Sequence, residues 1–202
     1  MLSMISSVLK PAVTRLINPV ARVLLRCGLT PNSVTVLGAS GLVLSAAYFY
    51  TSERFFIGTL VISFFSLSDL FDGAMARISQ KGASSWGGFL DSTIDRITDS
   101  AILICVLIAL INNSDPLSYV VIATLASGSL IPYIRAKAES LNIECNVGIA
   151  ERTERLIISL TAIGLHGLGV PYALSVGFWL LAILGVVTVG QRMIVVRKGL
   201  QS

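Results

Sequence analysis

The sequence predicts an all-α integral membrane protein: six transmembrane helices preceded by an interfacial amphipathic helix, in a single domain over residues 1–202. Three observations carry this expectation. Hydrophobic residues make up 54% of the chain and charged residues 13%, against roughly 25% charged in a typical soluble domain. A soluble chain this short would leave much of that apolar surface in water. The apolar residues also fall in uncharged stretches of about 20 residues, the length that crosses a bilayer. Finally, every Lys and Arg except Arg54 falls on one side of a six-span arrangement. The positive-inside rule makes that side the cytoplasm and places both termini there. The same composition excludes a disordered chain. Because the net charge of +4 is distributed over helix ends, a membrane surface is the expected partner and nucleic acid is not.

The elements follow in order. Over residues 3–28, Leu9, Val13, Leu16, Ile17, Val20, Val23, Leu24 and Cys27 share one helical face, opposite Arg15, Arg22 and Arg26. A basic amphipathic helix of this kind lies in the membrane interface and favours anionic lipid. Gly28 and Pro31 end it. The spans are expected at about 32–51, 54–79, 85–111, 116–139, 151–166 and 171–195. The second is apolar from Phe55 to Ser68 and continues through Asp69. The third is charged in its first half and apolar from Ala101 to Ile111. Leu156 to Gln191 has no formal charge but is too long for one span, and a Gly-rich turn at His166–Pro171 divides it. Cys27, Cys105 and Cys145 are odd in number and have no metal-like spacing, so they read as reduced thiols. No basic n-region or small-residue cleavage site marks a cleaved signal peptide.

The informative residues are charges inside apolar helices: Asp69, Asp72, Asp91, Asp95 and Asp99, with Arg77 and Arg96 beside them. A carboxylate in a span costs about 2.5–3.5 kcal/mol even on lenient insertion scales. Five facing lipid singly would be intolerable, so they must face each other, water or cations. At about 1.5 Å per residue, Asp69 lies roughly 21 Å from Phe55, and Asp95 roughly 24 Å from Ile111. Both therefore sit at one level, in the cytoplasmic leaflet. Asp69 and Asp72 are i,i+3, and Asp91 and Asp95 are i,i+4, so each pair shares a helix face. Four carboxylates converging in this way cannot all ionise without a compensating charge. Hard divalent cations, Mg²⁺ or Mn²⁺, suit carboxylate oxygen. Two of them could clamp a pyrophosphate and activate its phosphorus. Gly73 and Gly87 cost about 1 kcal/mol each in a helix relative to Ala, which points to a ligand or backbone that needs the room. Asp99 is open between structural and supporting roles, and Arg96 reads as a partner of the carboxylates.

Together, Asp69-Leu-Phe-Asp72-Gly73-Ala-Met-Ala76-Arg77, a nine-residue spacer, and Gly87-Gly-Phe-Leu-Asp91-Ser-Thr-Ile-Asp95 resemble the signature of the CDP-alcohol phosphotransferase family, D-x2-D-G-x2-A-R followed by G-x3-D-x3-D. All eight fixed positions match. The resemblance implies a six-span membrane enzyme, usually a homodimer, whose site opens to the cytoplasm. It implies transfer of the phosphatidyl group of CDP-diacylglycerol, or a related CDP-linked unit, to an alcohol with release of CMP. By the same resemblance Asp69, Asp72, Asp91 and Asp95 are the metal residues, and Asp95 is also the general base. Gly73, Ala76, Arg77 and Gly87 line the CDP site. Pro31, Asn32 and Thr35 resemble the family's P-(D/N)-x-V-T start of the first span, beside the nucleotide.

The acceptor is not set by the aspartates. Arg135, Lys137, Arg152, Arg155 and Arg192 sit at helix ends on the cytoplasmic side, and Arg matches phosphate oxygens bidentately. By charge alone, an acceptor-phosphate pocket and ordinary positive-inside residues stand as alternatives. The stretches Tyr133 to Glu139 and Asn146 to Leu156, and the pair Gln191-Arg192, resemble the bacterial phosphatidylinositol-phosphate synthases within that family. This implies inositol 1-phosphate as acceptor and these basic residues as its phosphate pocket. Relatives often have Lys then Arg where this chain has Arg135 then Lys137. Glycerol 3-phosphate is the alternative acceptor. A divalent-cation transporter is the alternative of a different class, disfavoured because no carboxylate relay leads to the far side.

Overall fold

The computed structural model describes residues 17–79 and 84–201, and no strand occurs among them. Helix α1 covers 17–26. It is followed by α2 (Pro31–Ser45), which runs into a π-helical turn at Ala46–Tyr50, then α3 (Phe55–Ser66), α4 (Ser68–Ile78), α5 (Ser85–Asn112), α6 (Leu117–Ser140), α7 (Arg152–Gly167) and α8 (Ala173–Gly199). Among the described residues, four stretches are long and apolar enough to cross a bilayer: Pro31–Tyr50, Phe55–Ile78, Leu117–Ser140 and Ala173–Gly199. Large side chains such as Leu44, Phe64, Tyr119 and Val186 point outward from them, as they do where the surrounding solvent is hydrocarbon. The protein is thus a helical membrane protein. Helix α5 is long enough to cross but carries Asp91, Asp95, Arg96 and Asp99 between its start and its middle, and α7 has 16 residues.

The expected helix 54–79 is two helices, broken at Leu67. Ser66 Oγ donates to the Ser63 carbonyl at 2.8 Å, the carbonyl that Leu67 N–H would take in a regular helix. Leu67 N–H instead reaches Phe64 O at 3.2 Å. A serine side chain has displaced one rung of the ladder just before Asp69.

Of the predicted amphipathic helix, Leu9, Val13, Arg15 and Leu16 lie outside the described residues. Within α1, Ile17, Ala21, Leu24 and Leu25 pack on Ala74 and Met75 of α4 and on Val34, while Val20, Val23, Arg22 and Arg26 face outward. The apolar face is therefore divided between protein and surroundings. Gly28, at φ +82, ends α1: Gly28 N–H bonds Leu25 O and Leu29 N–H bonds Leu24 O, both at 3.1 Å. This is the Schellman arrangement, which glycine adopts without a Cβ penalty.

The described residues gather into two compact units, one within 1–45 and 61–98 and the other within 46–60 and 99–202. In the first, α2 packs on α4 and the end of α3 through glycines. A Cβ on Gly38 would lie 2.0 Å from Ser68 Oγ, and one on Gly41 would lie 2.3 Å from the Phe65 ring. In the second, α8 packs on α6 and α7 around the buried Phe178, Leu181, Ile163 and Val121. Small residues again set the approach, as in membrane helix packing generally. A Cβ on Gly177 would lie 2.2 Å from Ala162 Cβ, which cannot swing away. Gly177→Val is therefore expected to destabilise the detergent-solubilised protein by about 1–3 kcal/mol, the usual cost of overpacking. Thermal unfolding checks this, with Gly190→Val as a control, since a Cβ there meets nothing within 4 Å.

Candidate active site

The motif residues all lie in the first unit, and α2 begins the site. Thr30 caps that helix, its Oγ1 accepting from Ser33 N–H at 3.1 Å. Pro31 follows at the first helical position, where its missing N–H is no loss. The cap sets the direction of Asn32 and Thr35. Thr35 is 5% exposed; its hydroxyl donates to Asp72 Oδ2 at 2.5 Å and lies 3.1 Å from the Pro31 carbonyl. The threonine of the first span and the second aspartate of α4 are thus in contact, although 37 residues apart.

Asp72 is itself 7% exposed. Asp69, one turn earlier on α4, and Asp91, on α5, both act on its charge through space. Asp69 and Asp91 are thus within electrostatic reach of Asp72. Asp95 sits one turn beyond Asp91, with its side chain 15% exposed and Oδ2 3.9 Å from Arg96 Nη1. That separation makes a weak ion pair, of the kind worth little near a surface.

The motif glycines have distinct surroundings. A Cβ on Gly73 would meet only Arg77 Nη1, at 3.6 Å. Room beside Asp72 thus stays open, with the Arg77 guanidinium at its edge. Ala76, half-buried, lies between these positions on α4. At the start of α5, Ser84 Oγ accepts from Gly87 N–H at 2.9 Å. A Cβ on Gly87 would come within 3.2 Å of Asn32 Oδ1 and 3.1 Å of Ser84 Oγ. Asn32 and Gly87 are therefore neighbours, as Thr35 and Asp72 are. Polar groups of α2 thus adjoin both α4 and the start of α5.

The donor set suits hard cations. Its carboxylates repel one another, and the hydroxyl that meets Asp72 is neutral. The space above Gly73 is open. Among the described residues no three His, Cys, Asp or Glu side chains are drawn together into a ligand set.

The predicted acceptor residues lie in the second unit and differ among themselves. Asp99 is shared: its Oδ1 lies 3.4 Å from Arg152 Nε and its Oδ2 3.6 Å from Arg155 Nη2. Arg155 Nη1 also donates to Ala150 O at 3.0 Å. Arg135 pairs with Glu139 at 2.9 Å on an exposed stretch of α6. Lys137 lines a mostly apolar cavity of about 370 Å³ with Tyr133, Met193 and Arg197. Arg192 is 4% exposed, and donates from Nε to Val147 O at 2.9 Å and from Nη1 to Ile131 O at 2.6 Å. Arg152 and Arg155 are thus brought together, and Arg192 is committed to backbone. The sequence reading left Asp99 open and passed over Thr188, which is fully buried and accepts from Ala150 N–H at 3.2 Å. The i,i+4 step from Asp95 was a signal for Asp99, whereas nothing local marked Thr188.

Comparison with known proteins agrees with the motif. The family model described as CDP-alcohol phosphatidyltransferase matches residues 28–190. The chain is 41% identical to the phosphatidylinositol phosphate synthase of Streptomyces avermitilis, over 97% of this chain and 84% of that protein. It is also 41% identical to the Mycobacterium tuberculosis enzyme of the same name, over 91% and 87%. The crystal structure of that mycobacterial synthase with CDP-DAG bound superposes with a TM-score of 0.85, covering 90% of this chain and 94% of that one. The structure of the same synthase in complex with manganese and citrate superposes at 0.84, covering 89% and 88%. The chain belongs to the CDP-alcohol phosphatidyltransferase family.

Proposed function

We propose that the protein transfers the phosphatidyl group of CDP-diacylglycerol to inositol 1-phosphate, releasing CMP and forming phosphatidylinositol phosphate. The observation that carries this is the polar locus of Thr35, Asp69, Asp72 and Asp91 beside the open space at Gly73. The named relatives, at 41% identity over most of both chains, support the choice of acceptor. In this reading Asp69, Asp72 and Asp91, with Asp95 nearby, hold two divalent cations, Mg²⁺ or Mn²⁺. When bound, such cations neutralise the carboxylates and polarise the pyrophosphate. Asn32, Thr35, Gly73, Ala76, Arg77 and Gly87 receive the CDP moiety, and Arg77 offers its guanidinium to a phosphate oxygen. The acceptor's hydroxyl oxygen forms the new bond to the phosphatidyl phosphorus, its proton passes to Asp95, and the bond to CMP breaks. A base at that step must lie within hydrogen-bond reach of the hydroxyl.

Arg135, Lys137, Arg152, Arg155 and Arg192 are the predicted acceptor-phosphate residues. Of these, Arg152 and Arg155 are the pair we assign to direct contact, since one carboxylate orients both. Six spans at α2, α3–α4, α5, α6, α7 and α8 complete the reading. So do a site and both termini facing the cytoplasm, a place in the cytoplasmic membrane, and a homodimeric assembly. The test is CMP release by the purified protein with CDP-diacylglycerol and Mg²⁺ or Mn²⁺, comparing inositol 1-phosphate, free inositol, glycerol 3-phosphate and serine. Release with inositol 1-phosphate alone is expected. Release with glycerol 3-phosphate instead would keep the transferase and overturn the acceptor. Silence with all four, together with cation uptake into proteoliposomes, would overturn both.

A further inference from the structure

We propose that α8 positions the acceptor cation Arg155 through a clamp on residues 147–150, made by Thr188 and Arg192. The inference rests on the acceptor reading given above. The segment between α6 and α7 is held from one side by α8. Arg192 Nε donates to Val147 O at 2.9 Å, and Ala150 N–H donates to Thr188 Oγ1 at 3.2 Å. Gly148 lies between these bonds at φ +139, a backbone that side-chain-bearing residues rarely adopt. A Cβ there would lie 2.6 Å from Thr188 Cγ2, so the backbone rests directly on that methyl. Thr188 and Ala150 are fully buried. Arg192 also donates to Ile131 O at 2.6 Å, so the clamp is anchored to α6 as well.

What the clamp holds is a carbonyl. Ala150 donates its N–H to Thr188 Oγ1 and, through its O, accepts from Arg155 Nη1 at 3.0 Å. Asp99 meets the other terminal nitrogen, Nη2, at 3.6 Å. A hydrogen bond at one terminal nitrogen and an ion pair at the other hold the guanidinium. Bidentate recognition of phosphate depends on the orientation of that group more than on charge. Thr188 is therefore a positioning residue: it sets where Ala150 O stands, and so how Arg155 faces.

The experiment compares Thr188→Val, Thr188→Ser and Arg155→Ala in steady-state CMP release, with CDP-diacylglycerol and inositol 1-phosphate each varied. Valine keeps the shape and removes the hydroxyl. Thr188→Val is expected to raise the KM for inositol 1-phosphate about 3–10-fold, the order one buried hydrogen bond gives, with little change in the donor KM or in kcat. Thr188→Ser keeps the oxygen and is expected to retain the normal acceptor KM. In the Arg155→Ala background, Thr188→Val is expected to add nothing, since coupled residues are not additive. Should Thr188→Val fail to fold, Gly148→Ala strains the same segment and is expected to give the same split. An unchanged acceptor KM in Thr188→Val, or an equal rise for both substrates, overturns the clamp while Arg155→Ala still reports on the acceptor site. If Arg155→Ala leaves the acceptor KM unchanged, the acceptor reading falls and the clamp falls with it.

Discussion

Asp95→Asn is expected to lower CMP release by about 10²–10⁴-fold, the range a general base contributes, while the variant folds and still binds CDP-diacylglycerol. The substitution exchanges one oxygen for an amide nitrogen of similar size and removes the capacity to take a proton, while one oxygen able to face a cation remains. Asp95 is mostly shielded, and Arg96 stands at 3.9 Å from it. The neighbouring contacts that organise the donor side, Thr35 with Asp72 and Asn32 beside Gly87, do not involve residue 95. Donor binding, followed as thermal stabilisation by CDP-diacylglycerol, should therefore survive. Turnover near normal in this variant would remove Asp95 from the proton transfer. Loss of donor binding together with turnover would make it a binding residue.

How much of this was legible in the sequence depends on the distance between partners. Helix faces were legible. The i,i+3 step from Asp69 to Asp72 and the i,i+4 step from Asp91 to Asp95 place carboxylates together by helical geometry alone. The cost of charge in lipid then requires that they find each other. The contact of Thr35 with Asp72 was not derivable from local pattern, because it is a tertiary meeting of helices brought close by Gly38 and Gly41. The break at Leu67 was hidden for the opposite reason. The apolar run is continuous there, and which donor takes the Ser63 carbonyl is decided by a small difference between a side-chain and a backbone hydrogen bond. The basic residues were hardest. Arginines at helix ends look alike in sequence, yet Arg155 meets a carboxylate and a carbonyl while Arg192 is buried on two carbonyls. Burial of a guanidinium is set by which loop folds over it, and nothing in the local pattern of residues 147–150 says which arginine they cover.

Asp72→Asn should separate function from stability, with opposite signs. Asparagine fits the same volume, and its carbonyl oxygen still accepts from the Thr35 hydroxyl, so the α2–α4 contact remains. The lost charge had two consequences. It repelled Asp69 and Asp91, whose fields reach residue 72, and in the proposed reading it held a divalent cation. Without added metal, the variant is therefore expected to unfold at a higher temperature than the unmodified protein, because a cluster of like charges in a buried place has been relieved. With Mn²⁺ added, the order should reverse: the unmodified protein gains stability by binding the ion and the variant gains little. Mn²⁺ affinity, followed by paramagnetic resonance of the free ion, is expected to fall by at least about 10–100-fold, the loss seen when even an outer partner of a metal site is removed, and CMP release should fall with it. A variant that binds Mn²⁺ normally would show that Asp72 is no ligand. A variant destabilised without metal would show that its charge is needed for packing. Only a rise in apo stability combined with a loss of metal-induced stabilisation fits a carboxylate kept in an apolar helix for the sake of a cation.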